Sequence, residues 1–448
     1  MKEIKILLNI LLVSLISCNK PTEPPSPPIL DEPTLRLELD DAHCTEVWIK
    51  FTSAKLKTPN TLILKQYNPN DDSLIHTINL ITQDTLLHID SLLPNKTYRY
   101  KAEAIANNKV YTTNELIVQT MDTTSHNFTF EMFTFGGEFA GSVLYDVAII
   151  DDKNIIAVGE IYLKDSTGLP DHQPYSIVKW NGKEWKPQKL FYAEDLLVAP
   201  IRGINVIRPG EIYLAAGSIF RWDGKSNYAK MVLSRKSLPD PMASVEKLWS
   251  QNSSQIYGVG NRGTIVHYNG TSWRRIESHT TLNIYDIWGD YNPKTNEWEI
   301  LAVASDYPTS MNKEILKIAG ETVFKLPISS QMEPLYTIWF TPNKQYYVAG
   351  SGIYQKRLLT DLDWKNGPTD ITGFATTCIR GNNINDVFGV GAFGDFLHYN
   401  GVSWKQYKEP YLYNGAYTKV AVKGDLVVAV GGNYVSLASE AVILIGRR

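Results

Sequence analysis

The string "IVHYNGTSW" at 265–273 is written again as "FLHYNGVSW" at 396–404, with a third version, "IVKWNGKEW", at 177–185 and a worn fourth, "IFRWDGKSNY", at 219–228. A string that recurs is either a repeated chemical site or a repeated structural joint. The Asn-Gly pair favours the joint. A two-residue hairpin turn that matches strand twist needs positive φ at both central residues, and Asn followed by Gly reaches that with least strain. Such a turn would set Tyr268 opposite Thr271 and Val266 opposite Trp273, with the aromatic side chains covering the neighbouring sheet. Gly182, Gly224, Gly270 and Gly401 are spaced by 42, 46 and 131, the last close to three times 44, so the unit repeats at about 44 residues.

A second regularity runs in phase with the first. Counting thirteen forward from a polar residue inside an apolar segment leads from Asp146 to Gly159, Lys247 to Gly260, Thr337 to Gly350, Cys378 to Gly391 and Lys419 to Gly432. Each interval holds one strand, a short turn and a second strand; a third then enters the Asn-Gly turn and a fourth carries the Trp. A four-stranded unit of this length resembles a β-propeller blade. Blades begin near Val143, Ile201, Val245, Ile284, Leu335, Thr376 and Tyr417, which predicts seven; six or eight blades, or a series of sandwiches, are the alternatives. The last unit ends at "AVILIGRR" after three strands, and upstream of the first lies an orphan strand, "FTFEMFTFGG", at 128–137. It is expected to supply the missing outer strand and close the ring, since an open ring leaves two bare sheet edges. The units lack the signatures of WD40, kelch and sialidase-like blades. They resemble the Asn-Gly…Trp propeller repeats of exported bacterial proteins.

The first eighteen residues, "MKEIKILLNILLVSLISC", combine Lys2 and Lys5 with an apolar run from Ile6 to Ile16, too short to span a membrane and laid out as an export signal. Leu15-Ile16-Ser17-Cys18 resembles the lipobox of bacterial lipoproteins, which implies a lipidated Cys18. Residues 19–32 form a proline-rich tether, with Pro21, Pro24, Pro25, Pro27, Pro28 and then Pro33, stiff and extended. Asn19, in the position after the Cys, is not the acidic residue that retains some lipoproteins at the inner membrane, which points to the outer membrane or cell surface.

Residues 33–122 read as strands and turns. Val47, Ile49 and Phe51 alternate with Trp48 and Lys50, so the first three face a core and Trp48 is exposed as an edge cover. Leu92, Pro94, Tyr98, Tyr100 and Ala102 are spaced as in the tyrosine-corner region of fibronectin type III domains, a resemblance that implies a sandwich in which the Tyr98 hydroxyl bonds a nearby backbone group. The expected architecture is therefore all-β, a fibronectin type III-like sandwich followed at 128–448 by a seven-bladed β-propeller closed by an N-terminal outer strand.

A formal net charge of −3 with no basic run argues against a nucleic-acid partner. Cys44 and Cys378 fall in different domains and are expected to be buried free thiols. His267 and His398 occupy the same repeat position and read as strand residues. No metal-binding or nucleophile motif is present, and no cofactor or metal is expected. Asp146 and Asp286 on first strands are the one pair that could serve a glycosidase; alternating with Lys247 and Lys419, they read as a structural ring. Loops longer than their structural need collect binding residues. Residues 160–175 and 305–312 are such insertions, which makes Tyr162, Asp171, His172, Tyr175, Asp306 and Tyr307 contact candidates, with Arg262 and Phe393 at the tips of tight loops. The expected protein is a monomeric, lipid-anchored envelope module that binds a protein or carbohydrate without catalysis. A glycan-active enzyme and an assembly factor for an envelope complex are the alternatives.

Overall fold

The computed structural model describes residues 32–59, 61–306, 308–367, 371–409, 412, 414–434 and 438–448. Cys18, the export signal and all but the end of the tether lie outside them. Among the described residues every regular element is a strand except a 3-10 turn at Arg235–Ser237. The strands form many small sheets. The chain divides into two compact units. One holds Lys50–Thr85 and Tyr100–Leu116 with the chain up to Glu38; the other holds Leu39–Ile49, Leu86–Arg99 and Ile117–Arg448.

In the first unit, Phe51, Leu62, Leu64, Tyr100, Ala102 and Ala104 are buried at alternate positions, as a half-covered sheet requires. Two sheets run through this part of the sequence. The strand Val47–Ala54 is paired between Thr34–Ala42 and Thr85–Ile89, while Thr61–Tyr67 lies between Leu74–Asn79 and Thr97–Ala106. In the second unit the Tyr98 hydroxyl accepts the Leu93 N–H at 2.8 Å, and the exposure expected for Trp48 is not found. Trp48 is 9 % exposed, stacked on His88 at 4.9 Å and met edge-on by His43 at 4.6 Å, with the Arg357 guanidinium 4.3 Å from its ring. Alternation put it on the outer face correctly, but that face is covered.

Seven four-stranded antiparallel sheets follow, here I to VII, over 143–188, 203–233, 244–276, 283–326, 335–366, 376–406 and 415–447. Sheet VII supplies three strands of its own. Its third, Ser439–Arg447, pairs with Thr129–Gly136 from Glu440 opposite Gly136 to Arg447 opposite Thr129. Successive sheets adjoin through their first strands, and the first strand of VII adjoins that of I. Between each neighbouring pair lies an apolar layer. Ile156 and Val158 of sheet I pack on Leu214 of sheet II, whereas Ile155 and Ala157 from the same strand pack on Val428 and Ile443 of sheet VII. Burial on both faces is why second strands read as unbroken apolar runs such as "IIAVG" and "YYVAG".

The Asn-Gly joint is built differently from the two-residue turn. Tyr268 pairs with Trp273 and Val266 with Arg275, which leaves four residues in the loop. Only the glycine takes positive φ, +93° at Gly270. Asn269 instead accepts the N–H groups of Thr271 and Ser272, both at 3.1 Å, through its side chain. The Tyr268 hydroxyl donates to the Gly270 carbonyl, and Tyr399 repeats this at Gly401. Trp273 and Trp404 do reach neighbouring sheets, meeting Tyr213 at 6.4 Å and Tyr347 at 6.1 Å.

Candidate binding site

The thirteen-residue interval has a cause that periodicity did not reveal. In sheet I Leu144 pairs with Gly159 and Asp146 with Val158, so Tyr145 has no partner and forms a β-bulge. The same irregularity makes the register skip Glu246 in sheet III, Tyr285 in IV, Tyr336 in V, Thr377 in VI and Thr418 in VII. The glycine opposite each bulge lets two backbones meet. A Cβ on Gly159, Gly260, Gly350, Gly391 or Gly431 would stand 1.9 to 2.2 Å from a carbonyl oxygen of the first strand or of the residue just before it. In sheet VII the equivalent residue is thus Gly431, not Gly432; in sheet IV Ala304 holds the place. Sheet II lacks a bulge at this position, with Gly203 against Ala215 and Ile204 against Leu214; its irregularity falls further on, between Val206 and Arg208.

An extra residue re-aims its side chain, and here all six bulged residues are aimed into one cavity of about 590 Å³. Arg202, just before the first strand of sheet II, joins them. Its guanidinium lies 3.8 Å from the centre of the Tyr145 ring, a cation–π contact, and among the described residues no carboxylate pairs with it. The Tyr145 hydroxyl donates to Glu160 at 2.8 Å. Burial, reinforced by that carboxylate and opposed by Arg202, raises its pKa. Tyr285 and Tyr336 meet edge to face, 5.4 Å between centres. Asn261 donates to Ser244 at 2.8 Å and reaches Glu246 at 3.5 Å.

Lys247 and Lys419 line this cavity and also a second one of about 320 Å³. The layer they share is a set of buried ion pairs. Lys247 Nζ is 2.6 Å from Asp146, whose carboxylate also accepts the Ile204 N–H at 3.1 Å. Asp286, with no exposed surface, accepts two bonds from Arg380, at 2.7 and 2.8 Å. It also accepts the Thr337 hydroxyl at 2.8 Å and the Ile338 N–H at 3.1 Å. Burial alone would raise the Asp286 pKa; the charges of Arg380 and then Lys419 hold it well below the usual carboxylate range. Lys419 Nζ stands 3.9 Å from the same carboxylate. Both aspartates thus have fixed cationic partners, an arrangement that suits structure better than proton transfer.

Among the described residues, none of the loop positions singled out from the sequence lines the larger cavity. Asp171 is held by Lys189 at 2.6 Å, which lowers its pKa; that ammonium also sits 5.2 Å from the Tyr175 ring. His172 is exposed and Tyr162 half-buried. Arg262 pairs with Asp240 at 3.2 Å. The Asp306 N–H donates to the Asn312 carbonyl at 3.2 Å, closing its own loop. Phe393 contacts Phe374 at 4.6 Å over a separate cavity of about 270 Å³. Tyr307 lies outside the described residues. The loops nevertheless begin beside the cavity, through Glu160, which holds Tyr145, and through Asn261, next to Arg262. The signal for the lining residues was present one position before each polar residue of the thirteen-residue series.

His267 and His398 are strand residues. His267 stacks on Tyr257 at 4.3 Å, and His398 is buried between Asp386, 2.9 Å away, and His126. Cys44 and Cys378 are both free and buried. Among the described residues no cluster of His, Cys, Asp or Glu could hold a metal, and no helix is long and apolar enough to cross a membrane.

No family model matches the chain and no curated protein matches it. Among solved structures it is similar to tricorn protease, at 11% identity over 86% of this chain and 44% of that one, with a TM-score of 0.40. It thus spans less than half the length of that protein. It is also similar to the FN1–FN3 domains of chicken CNTN1, at 8% identity over 84% of this chain and 97% of that one, with a TM-score of 0.18.

Proposed function

We propose that this chain is a lipid-anchored binding protein of the cell envelope, without catalysis, in which a fibronectin type III-like sandwich precedes a seven-bladed β-propeller. Thr129–Gly136 closes the ring as the outer strand of sheet VII, and the cavity over the bulged first strands is the recognition site. Cyclic adjacency of the first strands and the seven apolar layers support the ring; the order of charge, apolar run, small residue and Cys in the first eighteen residues supports the anchor and an outer-membrane or surface location.

One observation carries the binding reading. Six sheets bear the same bulge at the same register, and each spends its extra residue on one cavity. A shared defect that a plain strand would avoid is a feature of function or of fit, and its volume falls in the range of roughly 300–1,000 Å³ that small-ligand sites occupy. Against the glycosidase alternative stands the lining itself, in which Glu246 is the one carboxylate while Asp146 and Asp286 are held by cations. The test is an array of glycans and peptides probed with the full chain, with Tyr285→Ala/Tyr336→Ala and with the rim variant Asp306→Ala. Signals lost in the double variant and kept in Asp306→Ala are expected. Signals kept in the double variant and lost in Asp306→Ala would move the site to the long loops, and release of reducing sugar from a bound glycan would restore the enzyme.

A further inference from the structure

Resting on that cavity as the recognition site, we infer that its ligand is an acidic saccharide, a sugar residue whose carboxylate seats at the floor while its ring lies among the tyrosines. The charge balance of the lining comes first. Lys247 is answered by Asp146 at 2.6 Å, and Asp286 is answered by the bidentate Arg380. Two cations then remain, Lys419, whose nearest carboxylate is Asp286 at 3.9 Å, and Arg202, which rests on the Tyr145 ring. Glu246, the single carboxylate in the lining, is bonded by Ser244 and Asn261. Over the lining and the ion-pair layer beneath it the count is therefore one positive charge in excess, with one cation on the floor and one at the edge; Glu160, bonded to the Tyr145 hydroxyl at 2.8 Å, is a further acid just outside that lining.

An ammonium has three protons to donate. Among the described residues that of Lys419 makes no contact shorter than 3.9 Å with an acid, so a carboxylate entering the cavity finds a donor not already committed. Charge-assisted bonds of this kind are stronger than neutral ones.

The walls select the body that carries the acid. Thr377 and Thr418 spend their hydroxyls on backbone carbonyls, those of Tyr417 and Val390 and of Leu144 and Val430, and so present methyl groups. With Ile284, Tyr145, Tyr285 and Tyr336 they make an apolar surface. Asn261, Glu246 and Arg202 interrupt it with planar polar groups. A pyranose has the same two-sided character, with C–H faces for aromatic rings and equatorial hydroxyls for amide, carboxylate and guanidinium. The first strands are the edge strands of their sheets and offer backbone groups to a peptide as well, so an acidic peptide is the competing ligand in the titration.

The test is calorimetric titration of the full chain with a hexuronate trimer, the neutral hexose trimer of the same linkage, and a tripeptide ending in Glu. The hexuronate is expected to bind, with the neutral sugar weaker by at least about tenfold, the effect of one charge-assisted contact. Lys419→Met is expected to abolish that preference; Arg202→Gln, at an exposed position, is expected to reduce it and serves if the buried variant does not fold. Raising salt should weaken the acidic ligand alone. Equal affinity for neutral and acidic sugars, lost in Tyr285→Ala/Tyr336→Ala, would overturn the carboxylate seat and leave the cavity as the site. Binding of the peptide in preference to the sugar, or of no probe by a folded wild-type chain, would overturn the inference while the array decides the cavity separately.

Discussion

Replacing Asp286 by alanine isolates the energetics of the central ion-pair layer. The carboxylate has no exposed surface and accepts four hydrogen bonds, two of them from Arg380, itself 8 % exposed. Removing it leaves a guanidinium buried without its counter-charge, a change that costs about 3–5 kcal/mol. Unfolding entropy near about 2.1 cal/mol/K per residue, over the roughly 320 residues from Phe128 onward, converts this into a fall in Tm of about 4–8 °C. The pair itself need not be stabilising. Asp286→Leu with Arg380→Met substitutes two apolar groups for two charges and is expected to return to within about 1 kcal/mol of wild type or better. Circular dichroism melts and chemical denaturation of Asp286→Leu, Arg380→Met, their double variant and wild type form a double-mutant cycle, with Asp286→Ala measured beside it. A loss below about 1 kcal/mol in Asp286→Ala would refute the layer as a closed set of charges, since only a cation with ready access to water could lose its partner so cheaply.

Deleting 129–136 strips the strand paired along Ser439–Arg447 and exposes a long apolar edge; a lower melt and concentration-dependent aggregation by light scattering are expected. Gly260→Val places a Cβ 2.0 Å from the Ser244 carbonyl and should cost roughly 2–3 kcal/mol by forcing the bulge open, whereas Ala304→Gly, at the one bulge where a Cβ is accommodated, should cost under about 1 kcal/mol; equal losses would mean that the glycines do not hold the bulges. His126 donates to or accepts from His398 at 2.8 Å, with Asp386, Lys405 and Arg448 around the pair. Burial, then the neighbouring His398 and Lys405, lower its pKa from 6.5 to about 4. Because the folded state disfavours the proton, its contribution is full above pH 6.5 and is lost as pH falls toward 4. Denaturant midpoints between pH 7.5 and 4.5 should fall more steeply for wild type than for His126→Asn, and parallel profiles would refute the assignment.

Strand starts at Val143, Leu335 and Thr376 coincide with those read from the sequence, because two buried faces write apolar runs that no other element of that length requires. The bulges were hidden in the same data. A constant offset of thirteen looks like strand plus turn plus strand, and one unpaired residue is absorbed into the count unless the partner of each residue is known. The Asn-Gly turn failed for a different reason: the dipeptide fits two turn types, and the Asn side chain bonded ahead in place of the backbone taking positive φ. The site fared worst. Loop length reports tolerance of insertion but carries no direction, so Asp171, Arg262 and Asp306 are spent on Lys189, Asp240 and Asn312 while the cavity is lined from strand residues of ordinary appearance.

The strand from Thr129 to Gly136 finds its partner more than three hundred positions later, the Thr129 hydroxyl donating to the Arg447 carbonyl across a separation of 318. Contacts so distant in sequence form late and slowly. A chain made from its N-terminus emerges in order, so this segment must wait, apolar and without its strand partner, until nearly every other strand is made. During that interval it is the natural target of chaperones and proteases, and the arrival of Ser439–Arg447 ends it.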